Sequence, residues 1–308
     1  MPKSGLPIEE IREPLSRILQ SGKRRIVIEA PTGSGKSTQI PQMLLEGGFL
    51  GDRGQAVILQ PRRLAARMLA KRVAEERGVE LGGEVGYTIR LDDLTSDKTR
   101  IRFVTEGVLV RQMISRPKLE GVQAVICDEF HERHLYGDLT LGRILELQET
   151  LRSDLILVVM SATLETEKLA QSIGAEVLRS DGRMFPVETE YLAKREDLSG
   201  SGVAEVAARE AERLIRQGKG DVLVFLPGAY EINRCRRDLE SRLGQREAVV
   251  LGLHGEMPPG EQDAALKRYD RPKVVVATNV AETSLTLDGI RAVVDSGLAR
   301  MEIGRAHV

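Results

Sequence analysis

The sequence predicts an α/β protein made of two domains with parallel sheets, and three observations support this class. Short apolar runs rich in β-branched residues recur along the chain and alternate with stretches that can form helices. Unbroken apolar strands are typical of parallel sheets that helices cover on both faces. A break containing Gly and Pro, at 180–186, interrupts the alternation, and 308 residues are enough for two domains.

The individual elements follow in order from this alternation. Helices are predicted at 64–76 and 203–217, where Ala, Arg, Glu and Leu recur at helical spacing. We expect one domain at 1–182 and a second at 187–301. The predicted strands are 25–29, 56–60, 101–105, 122–127, 155–160, 221–226, 248–253, 273–278 and 290–295.

Composition argues against a nucleic-acid binder of the RRM or OB type, a disulfide-stabilised protein and a membrane protein. The net charge of −1 gives no basic signature, and 3% aromatic residues with no Trp leave few rings for stacking on bases. Cys127 and Cys235 are predicted to be buried free thiols in a reducing compartment, not a disulfide or zinc site. No run approaches the length of a membrane span, and the N-terminus lacks an apolar signal segment. We therefore expect a monomeric, cytoplasmic enzyme without a membrane partner.

The most informative motif is the segment 30–38, Ala-Pro-Thr-Gly-Ser-Gly-Lys-Ser-Thr, which follows the apolar run 25–29. A strand, a Gly-rich turn and a helix start form the context of a phosphate-binding loop. Gly33 and Gly35 let backbone N–H groups surround phosphate oxygens. Lys36 supplies a positive charge to the β- and γ-phosphates, and the Ser37 hydroxyl can ligate Mg²⁺. This motif predicts bound ATP, or another NTP, with Mg²⁺.

A second motif, Asp128-Glu129-Phe130-His131, follows the apolar run 122–127. Asp128 can hold Mg²⁺, directly or through water, and Glu129 can polarise the attacking water as a general base. Two acids alone are often only the solvated end of a strand. Together with a phosphate loop they indicate NTP hydrolysis, because that reaction requires both a loop that binds the phosphates and acids that hold Mg²⁺ and activate water.

Two further short motifs complete the first half of the chain. The spacing of His131 and His134 does not fit a helical zinc pair. We expect His131 to couple the acid pair to neighbouring motifs, and His134 to be structural or exposed. Ser161 and Thr163 follow a strong strand, where their hydroxyls can hydrogen-bond the acidic motif and report the state of the γ-phosphate.

The complete series of motifs resembles the DEAH/RHA group of superfamily 2 helicases, most closely its bacterial HrpB-type members, over nearly the whole chain. Its most specific parts are Gln60-Pro-Arg-Arg63 and Thr278-Asn-Val-Ala-Glu-Thr-Ser-Leu-Thr286. The other parts are 30–38, Gly86-Tyr-Thr-Ile-Arg90, Thr105-Glu-Gly107, Asp128-Glu-Phe-His131, Ser161-Ala-Thr163, Phe225-Leu-Pro-Gly228, Leu253-His-Gly255 and Val294-Asp-Ser-Gly297.

The resemblance implies two tandem RecA-like P-loop domains with ATP in the cleft between them, the second domain incomplete. Catalysis is implied for Lys36, Asp128, Glu129 and His131, and coupling for Ser161 and Thr163. Nucleotide contacts are implied for Thr32, Gly33, Ser34, Gly35, Lys36, Ser37, Thr38 and, against the base, Arg72. Mg²⁺ contacts are implied for Ser37, Asp128 and Glu129. Nucleic-acid contacts are implied for Arg62, Arg63, Thr105, Glu106, Gly107, Thr278 and Asn279.

The position of the Arg62-Arg63 pair allows two interpretations that do not depend on the resemblance. At a strand tip it suits contacts to nucleic-acid phosphates, which position a strand without reading its sequence. The alternative is a solvated helix start, and the helix dipole opposes that placement of two cations.

The end of the chain departs from the family. The family carries, beyond residue 297, a motif whose arginines reach the γ-phosphate, and we expect this chain to lack that arginine-finger motif. Residues 302–308, Glu-Ile-Gly-Arg-Ala-His-Val, are expected to be a non-native read-through tail, because they back-translate to a common sequencing-adapter sequence.

Two functions follow from these features. The leading expectation is an ATP-dependent helicase, with RNA preferred over DNA, in which NTP hydrolysis drives translocation along a single strand and unwinding. Without the arginine-finger motif, binding alone stays open as the activity of this chain. The alternative is a nucleotide-dependent RNA clamp or remodelling scaffold that does not unwind. A metabolic P-loop kinase lacks support, because it has no need of the motif series in 225–297.

Overall fold

The computed structural model describes residues 5–162, 166–182, 186–193, 202–244, 246–281, 287 and 289–300. The chain divides into two compact units, Met1–Pro186 and Val187–Val308. Each unit has its own sheet and its own apolar core. The α/β class predicted from the alternating apolar runs is confirmed.

The described part of the first unit contains an eight-stranded sheet. The strands are β1 (Arg25–Glu29), β2 (Gln55–Gln60), β3 (Val85–Ile89), β4 (Asp92–Leu94), β5 (Ile101–Thr105), β6 (Val122–Cys127), β7 (Ile156–Ser161) and β8 (Glu176–Arg179). Their order is β4-β3-β5-β2-β6-β7-β1-β8. Every pair is parallel except β3 with β4. All the parallel strands therefore end at the same edge.

Helices cover both faces of this sheet. They are α1 (Arg12–Gln20), α2 (Lys36–Glu46), α3 (Arg63–Arg77), α4 (Glu106–Ser115), α5 (Leu135–Thr150) and α6 (Thr166–Ile173), with short 3₁₀ helices at Pro7–Ile11 and Phe130–Glu132. Successive side chains of a strand point to opposite faces. Ile26 and Ile28 accordingly pack in the core beneath α1, α2 and α3, whereas Val27 packs beneath α4, α5 and α6.

The second unit repeats the pattern with a four-stranded sheet in its described part. Its strands are β9 (Asp221–Phe225), β10 (Val249–Leu253), β11 (Lys273–Ala277) and β12 (Ile290–Asp295), in the order β10-β11-β9-β12 and all parallel. Its helices are α7 (Gly202–Arg216), α8 (Ala229–Arg242) and α9 (Pro259–Leu266), with a 3₁₀ helix at Asn279–Ala281.

A buried lysine fixes one helix of the second unit. Lys273 is fully buried, and its Nζ donates hydrogen bonds to the carbonyls of Ala265 (3.1 Å) and Lys267 (2.9 Å). These carbonyls lie at the end of α9, where the helix dipole is negative. The ammonium group therefore satisfies acceptors that a helix end leaves unpaired.

The predicted strands agree with the observed ones to within one residue at each end. Cys127 and Cys235 are free and buried, as predicted, and burial raises the pKa of each thiol to about 12. The strands β3, β4 and β8 were not predicted. Among the described residues, no helix combines the length and apolar character needed to cross a bilayer.

Candidate active site

The predicted phosphate loop joins β1 to α2, which begins at Lys36. Gly33 has a φ of +79° and Gly35 a φ of +92°, in the left-handed region that favours glycine. A Cβ on Gly35 would lie 2.7 Å from Leu6 Cδ1 and 3.4 Å from Ile8 Cγ2, whereas a Cβ on Gly33 would meet nothing within 4 Å. The loop thus requires glycine twice for its backbone, and at Gly35 also for lack of space.

Lys36 and Glu129 form a buried ion pair. The Lys36 Nζ lies 3.6 Å from Glu129 Oε1, and the two side chains are 3% and 1% exposed. Two charges so far from water are tolerated because each neutralises the other. The cation of the phosphate loop and the carboxylate predicted as the base therefore meet in one site.

Asp128 is held by hydrogen bonds to both carboxylate oxygens. Its Oδ1 accepts the backbone N–H of Glu129 at 2.9 Å, and its Oδ2 accepts Nε2 of Gln60 at 2.5 Å. Gln60 is the last residue of β2, beside the end of β6, and is itself fully buried. Sequence reasoning missed Gln60 as a site residue, although it belongs to the motif at 60–63.

Glu129 combines a strained backbone with a desolvated carboxylate. Its φ is +50°, a region that non-glycine residues enter rarely and often at functional sites. Burial, followed by the charge of Asp128, raises the pKa of Glu129 to about 7, although Lys36 acts in the opposite direction. Among the described residues nothing donates a hydrogen bond to its buried Oε2.

His131 lies between Glu129 and the end of β7. Its Nδ1 accepts the backbone N–H of Ala162 at 3.4 Å, and its Nε2 lies 3.5 Å from Glu129 Oε2. Because Nδ1 is an acceptor, the proton of the neutral ring is on Nε2, which faces Glu129. Burial lowers the pKa of His131 and so favours this neutral form. Its coupling role stays a prediction.

The sensor residues are described only in part. Ser161 ends β7 and is buried, and its carbonyl accepts the N–H of Ala30 at 3.1 Å. This bond ties the end of β7 to the start of the phosphate loop. Thr163 lies outside the described residues.

The residues at this edge fit a hydrated Mg²⁺ ion. Ser37, Asp128 and Glu129 offer the oxygen ligands that hard cations prefer. Gln60 Oε1, Glu129 Oε2 and Ser34 Oγ are buried and without a hydrogen-bond partner in the described part of the chain. That part holds no cluster of three His, Cys, Asp or Glu side chains able to bind a metal. Mg²⁺ does not need such a cluster, since it binds through one or two carboxylates, waters and substrate phosphates.

The nucleic-acid residues predicted in the first unit follow β2 and β5, at the edge of the sheet where the phosphate loop lies. Arg62 precedes α3, and its Nη2 lies 3.3 Å from Glu132 Oε2, whereas Arg63 is exposed. Thr105 and Glu106 are half-buried at the start of α4. Gly107, the next residue, is exposed.

The acidic and histidine side chains near these residues form a small network. His134 is exposed, with Nε2 at 3.2 Å from Glu132 Oε2 and Nδ1 at 3.9 Å from Glu106 Oε2. Burial raises the pKa of Glu106, and the charge of Glu132 acts in the same direction. Sequence reasoning missed Glu132, which carries the contact to Arg62.

In the second unit, Thr278 follows β11 and its N–H donates to the carbonyl of Leu253 at 3.2 Å. Asn279 is exposed and begins a 3₁₀ helix. Both residues lie at the carboxyl end of their sheet, as predicted for a pair that contacts phosphates. Their contact with nucleic acid stays a prediction.

Arg72 is connected to the phosphate loop through Glu76. Its Nε donates to Glu76 Oε1 at 2.7 Å. Glu76 Oε2 accepts the amides of Gln39 (2.9 Å) and Gln42 (3.0 Å) on α2, and Gln39 also donates to Thr38 Oγ1 at 3.2 Å. The predicted stacking of Arg72 on a base stays a prediction.

Comparison with known proteins identifies the family. The model of the DEAD/DEAH box helicase family matches residues 12–172, and that of the helicase conserved C-terminal domain matches residues 207–307. This chain belongs to the DEAD/DEAH box helicase family. The predicted resemblance and the tandem RecA-like fold are thereby confirmed.

Individual helicases of known name agree with this assignment. ATP-dependent RNA helicase HrpB of Escherichia coli (strain K12) is 42% identical over 301 residues, which are 97% of this chain and 36% of that protein. Probable ATP-dependent RNA helicase DHX35 of Homo sapiens is 38% identical over 321 residues, 96% of this chain and 44% of that protein. The chain thus spans less than half the length of these two helicases.

A solved helicase structure has the same architecture. The crystal structure of the Escherichia coli DEAH/RHA helicase HrpB superposes with a TM-score of 0.84 at 41% identity. The match covers 96% of this chain and 37% of that one.

Proposed function

We propose that this chain is the NTP-hydrolysing and strand-binding part of an ATP-dependent RNA helicase. The observation that carries the proposal is the buried group of Lys36, Asp128 and Glu129 beside the phosphate loop, at one edge of a parallel sheet. Ligands of such sheets bind at the carboxyl ends of the strands. The relatives' names, ATP-dependent RNA helicases, favour RNA over DNA.

Lys36 and Glu129 would exchange partners during the reaction. In the resting protein the ammonium of Lys36 is neutralised by Glu129. Nucleotide phosphates compete for this cation, because an ammonium is the usual partner of the β- and γ-phosphates in a phosphate loop. Their binding therefore draws Lys36 away and leaves Glu129 able to accept a proton.

Glu129 is suited to act as the general base. Its pKa of about 7 lies near the working pH of a cytoplasmic enzyme, where a general base is most effective. Oε1 faces Lys36 and Oε2 faces the Nε2–H of His131. Since Oε2 accepts no hydrogen bond from the described residues, it is the atom that would take the proton of the attacking water. His131, whose Nε2 lies 3.5 Å from this oxygen, would couple Glu129 to the end of β7.

Mg²⁺, bound through Ser37 and Asp128, would neutralise charge on the phosphates. The hydrogen bonds from Gln60 and from the Glu129 N–H would keep the Asp128 carboxylate in one orientation. Thr32 to Thr38 would surround the phosphates, and Thr163 with Ser161 would respond to the γ-phosphate.

The single-stranded RNA backbone would lie across the sheet edge. Arg62, Arg63, Thr105 and Gly107 would contact its phosphates, and Thr278 and Asn279 would do so in the second unit. We assign ATP binding to a domain at 1–182 and the second helicase domain to 187–301. We take the protein as a cytoplasmic monomer.

ATP hydrolysis with and without poly(U) tests this proposal. Poly(U) should stimulate turnover in a version of the protein that includes the arginine-finger motif, and Glu129→Gln in that version should lower it by about 10²- to 10⁴-fold, the usual contribution of a general base. Binding of a fluorescent ATP analogue should persist in Glu129→Gln and disappear in Lys36→Ala. Unchanged turnover in Glu129→Gln would contradict the assignment of the base. Nucleotide-dependent retention of poly(U) without any turnover would favour the clamp.

A further inference from the structure

Gln60 has a buried amide of which only one half is satisfied. Its Nε2 donates to Asp128 Oδ2 at 2.5 Å. Its Oε1 is buried and accepts no hydrogen bond from any described residue. An ionised carboxylate can only accept, so the amide nitrogen must face Asp128. Flipping the amide would place its oxygen against the Asp128 carboxylate, so Oε1 stays without a donor in either case.

The side chain of Gln60 is not needed to join its strand to β6. The two strands are already paired in parallel, with Leu59 opposite Cys127. The N–H of Asp128 also donates to the carbonyl of Leu59 at 3.2 Å. The amide of Gln60 therefore acts on the Asp128 carboxylate itself.

A buried acceptor without a donor is rare and calls for a ligand or water that supplies one. Beside Asp128, the donor must also be compatible with a carboxylate. A hydrated divalent cation meets both conditions, because Mg²⁺ retains several of its waters in protein sites. Metal-bound waters donate strong hydrogen bonds to neighbouring carbonyl oxygens and carboxylates.

We propose that Gln60 is a positioning residue for Mg²⁺: Nε2 fixes the Asp128 carboxylate, and Oε1 accepts a hydrogen bond from a water of the hydrated ion. This inference rests on the proposed Mg²⁺–nucleotide site. It assigns to the motif at 60–63 a role in cation binding in addition to the strand contacts expected of Arg62 and Arg63.

The experiment compares Gln60→Leu with a matched control, Gln55→Leu. Gln55 is the first residue of the same strand, and its Nε2 donates to the carbonyl of Thr99 at 2.8 Å, at the opposite end of β2. Each variant loses one side-chain amide from one strand. Binding of a fluorescent ADP analogue is measured as Mg²⁺ is raised, and again in EDTA.

In Gln60→Leu, the Mg²⁺ concentration that gives half of the gain in affinity should rise about 10- to 100-fold, as for other residues that orient metal ligands. Gln55→Leu should match the wild type, and affinity in EDTA should be the same in all three proteins. Urea unfolding in EDTA checks that each variant is folded. If Gln60→Leu does not fold, Gln60→Met, which keeps the unbranched shape, replaces it with the same expected rise.

Two results would overturn the inference alone. One is an unchanged Mg²⁺ midpoint in folded Gln60→Leu beside a wild type that responds normally. The other is an equal loss of affinity in Mg²⁺ and in EDTA, which indicates a purely structural role. Absence of Mg²⁺-dependent nucleotide binding by the folded wild type would overturn the proposed function together with this inference.

Discussion

Replacing Gly35 by Ala should destabilise the protein more than replacing Gly33, although both glycines have positive φ. In both variants an L-residue enters the left-handed region, which costs about 1–2 kcal/mol. In both, Ala also restricts the unfolded chain, which offsets about 0.4–1 kcal/mol. These two effects cancel in the comparison. What differs is the space available to the new methyl group.

The extra destabilisation at Gly35 comes from contact with Leu6, near the start of the chain. The new Cβ would lie 2.7 Å from Leu6 Cδ1 and 3.3 Å from Leu6 Cβ, whereas at Gly33 nothing lies within 4 Å. Overpacking costs about 1–3 kcal/mol, and the low end applies here because Leu6 Cδ1 is the tip of a half-buried side chain that can turn aside. We therefore expect Gly35→Ala to lower the free energy of unfolding by about 1 kcal/mol more than Gly33→Ala does.

Urea unfolding followed by far-UV circular dichroism measures this difference. Leu6→Ala removes the atom that lies closest to the new methyl. It should therefore be less costly in the Gly35→Ala background than in the wild type, with a coupling energy of about 0.5–3 kcal/mol. Equal stabilities of Gly33→Ala and Gly35→Ala, or a coupling energy of zero, would refute the packing argument.

Three further predictions follow. Because the folded state raises the pKa of Glu129 from 4.5 to about 7, its contribution to stability is fully present below pH 4.5 and is lost as pH rises to about 7. Glu129→Gln should remove up to roughly 3 kcal/mol of this pH dependence in nucleotide-free protein. The free energy of unfolding is measured by urea titration at several pH values, and the same change with pH in wild type and variant would contradict the prediction. Glu132→Gln should remove the negative charge 3.3 Å from Arg62 and tighten poly(U) binding a few-fold at low salt. Arg62→Ala should weaken poly(U) binding and lower the salt slope by about 0.7, and filter binding at several salt concentrations measures both effects. Lys273→Met should destabilise the second unit by about 1–3 kcal/mol, with exposed Lys267→Met as a neutral control in thermal unfolding.

Much of the fold could be predicted because its central strands are continuous apolar runs. β3 and β4 escaped prediction for physical reasons. β3 contains Gly86, which weakens a strand signal, and β4 is three exposed residues whose extended form depends on pairing with β3. β8 is a short, half-exposed edge strand that pairs with β1.

The chemistry of the site was predictable where it depends on local sequence, as in the phosphate loop and Asp128-Glu129. Gln60 and Glu132 were missed because their partners are remote in sequence. Gln60 lies 68 residues from Asp128 along the chain, and only the neighbouring positions of β2 and β6 in the sheet bring the two together. A usable signal was present, since Gln60 ends its strand at the edge where the acids of β6 also lie.

The packing of Leu6 and Ile8 behind Gly35 has a practical consequence for recombinant work. The matched helicase family segment begins at residue 12, so an expression fragment trimmed to that boundary would discard both side chains. It would also lose the hydrogen bond from the Ile8 N–H to the Ser34 carbonyl, 3.3 Å long. We expect such a fragment to keep every signature residue but to hold the phosphate loop less firmly. A fragment intended for crystallisation or inhibitor screening should therefore start before Leu6.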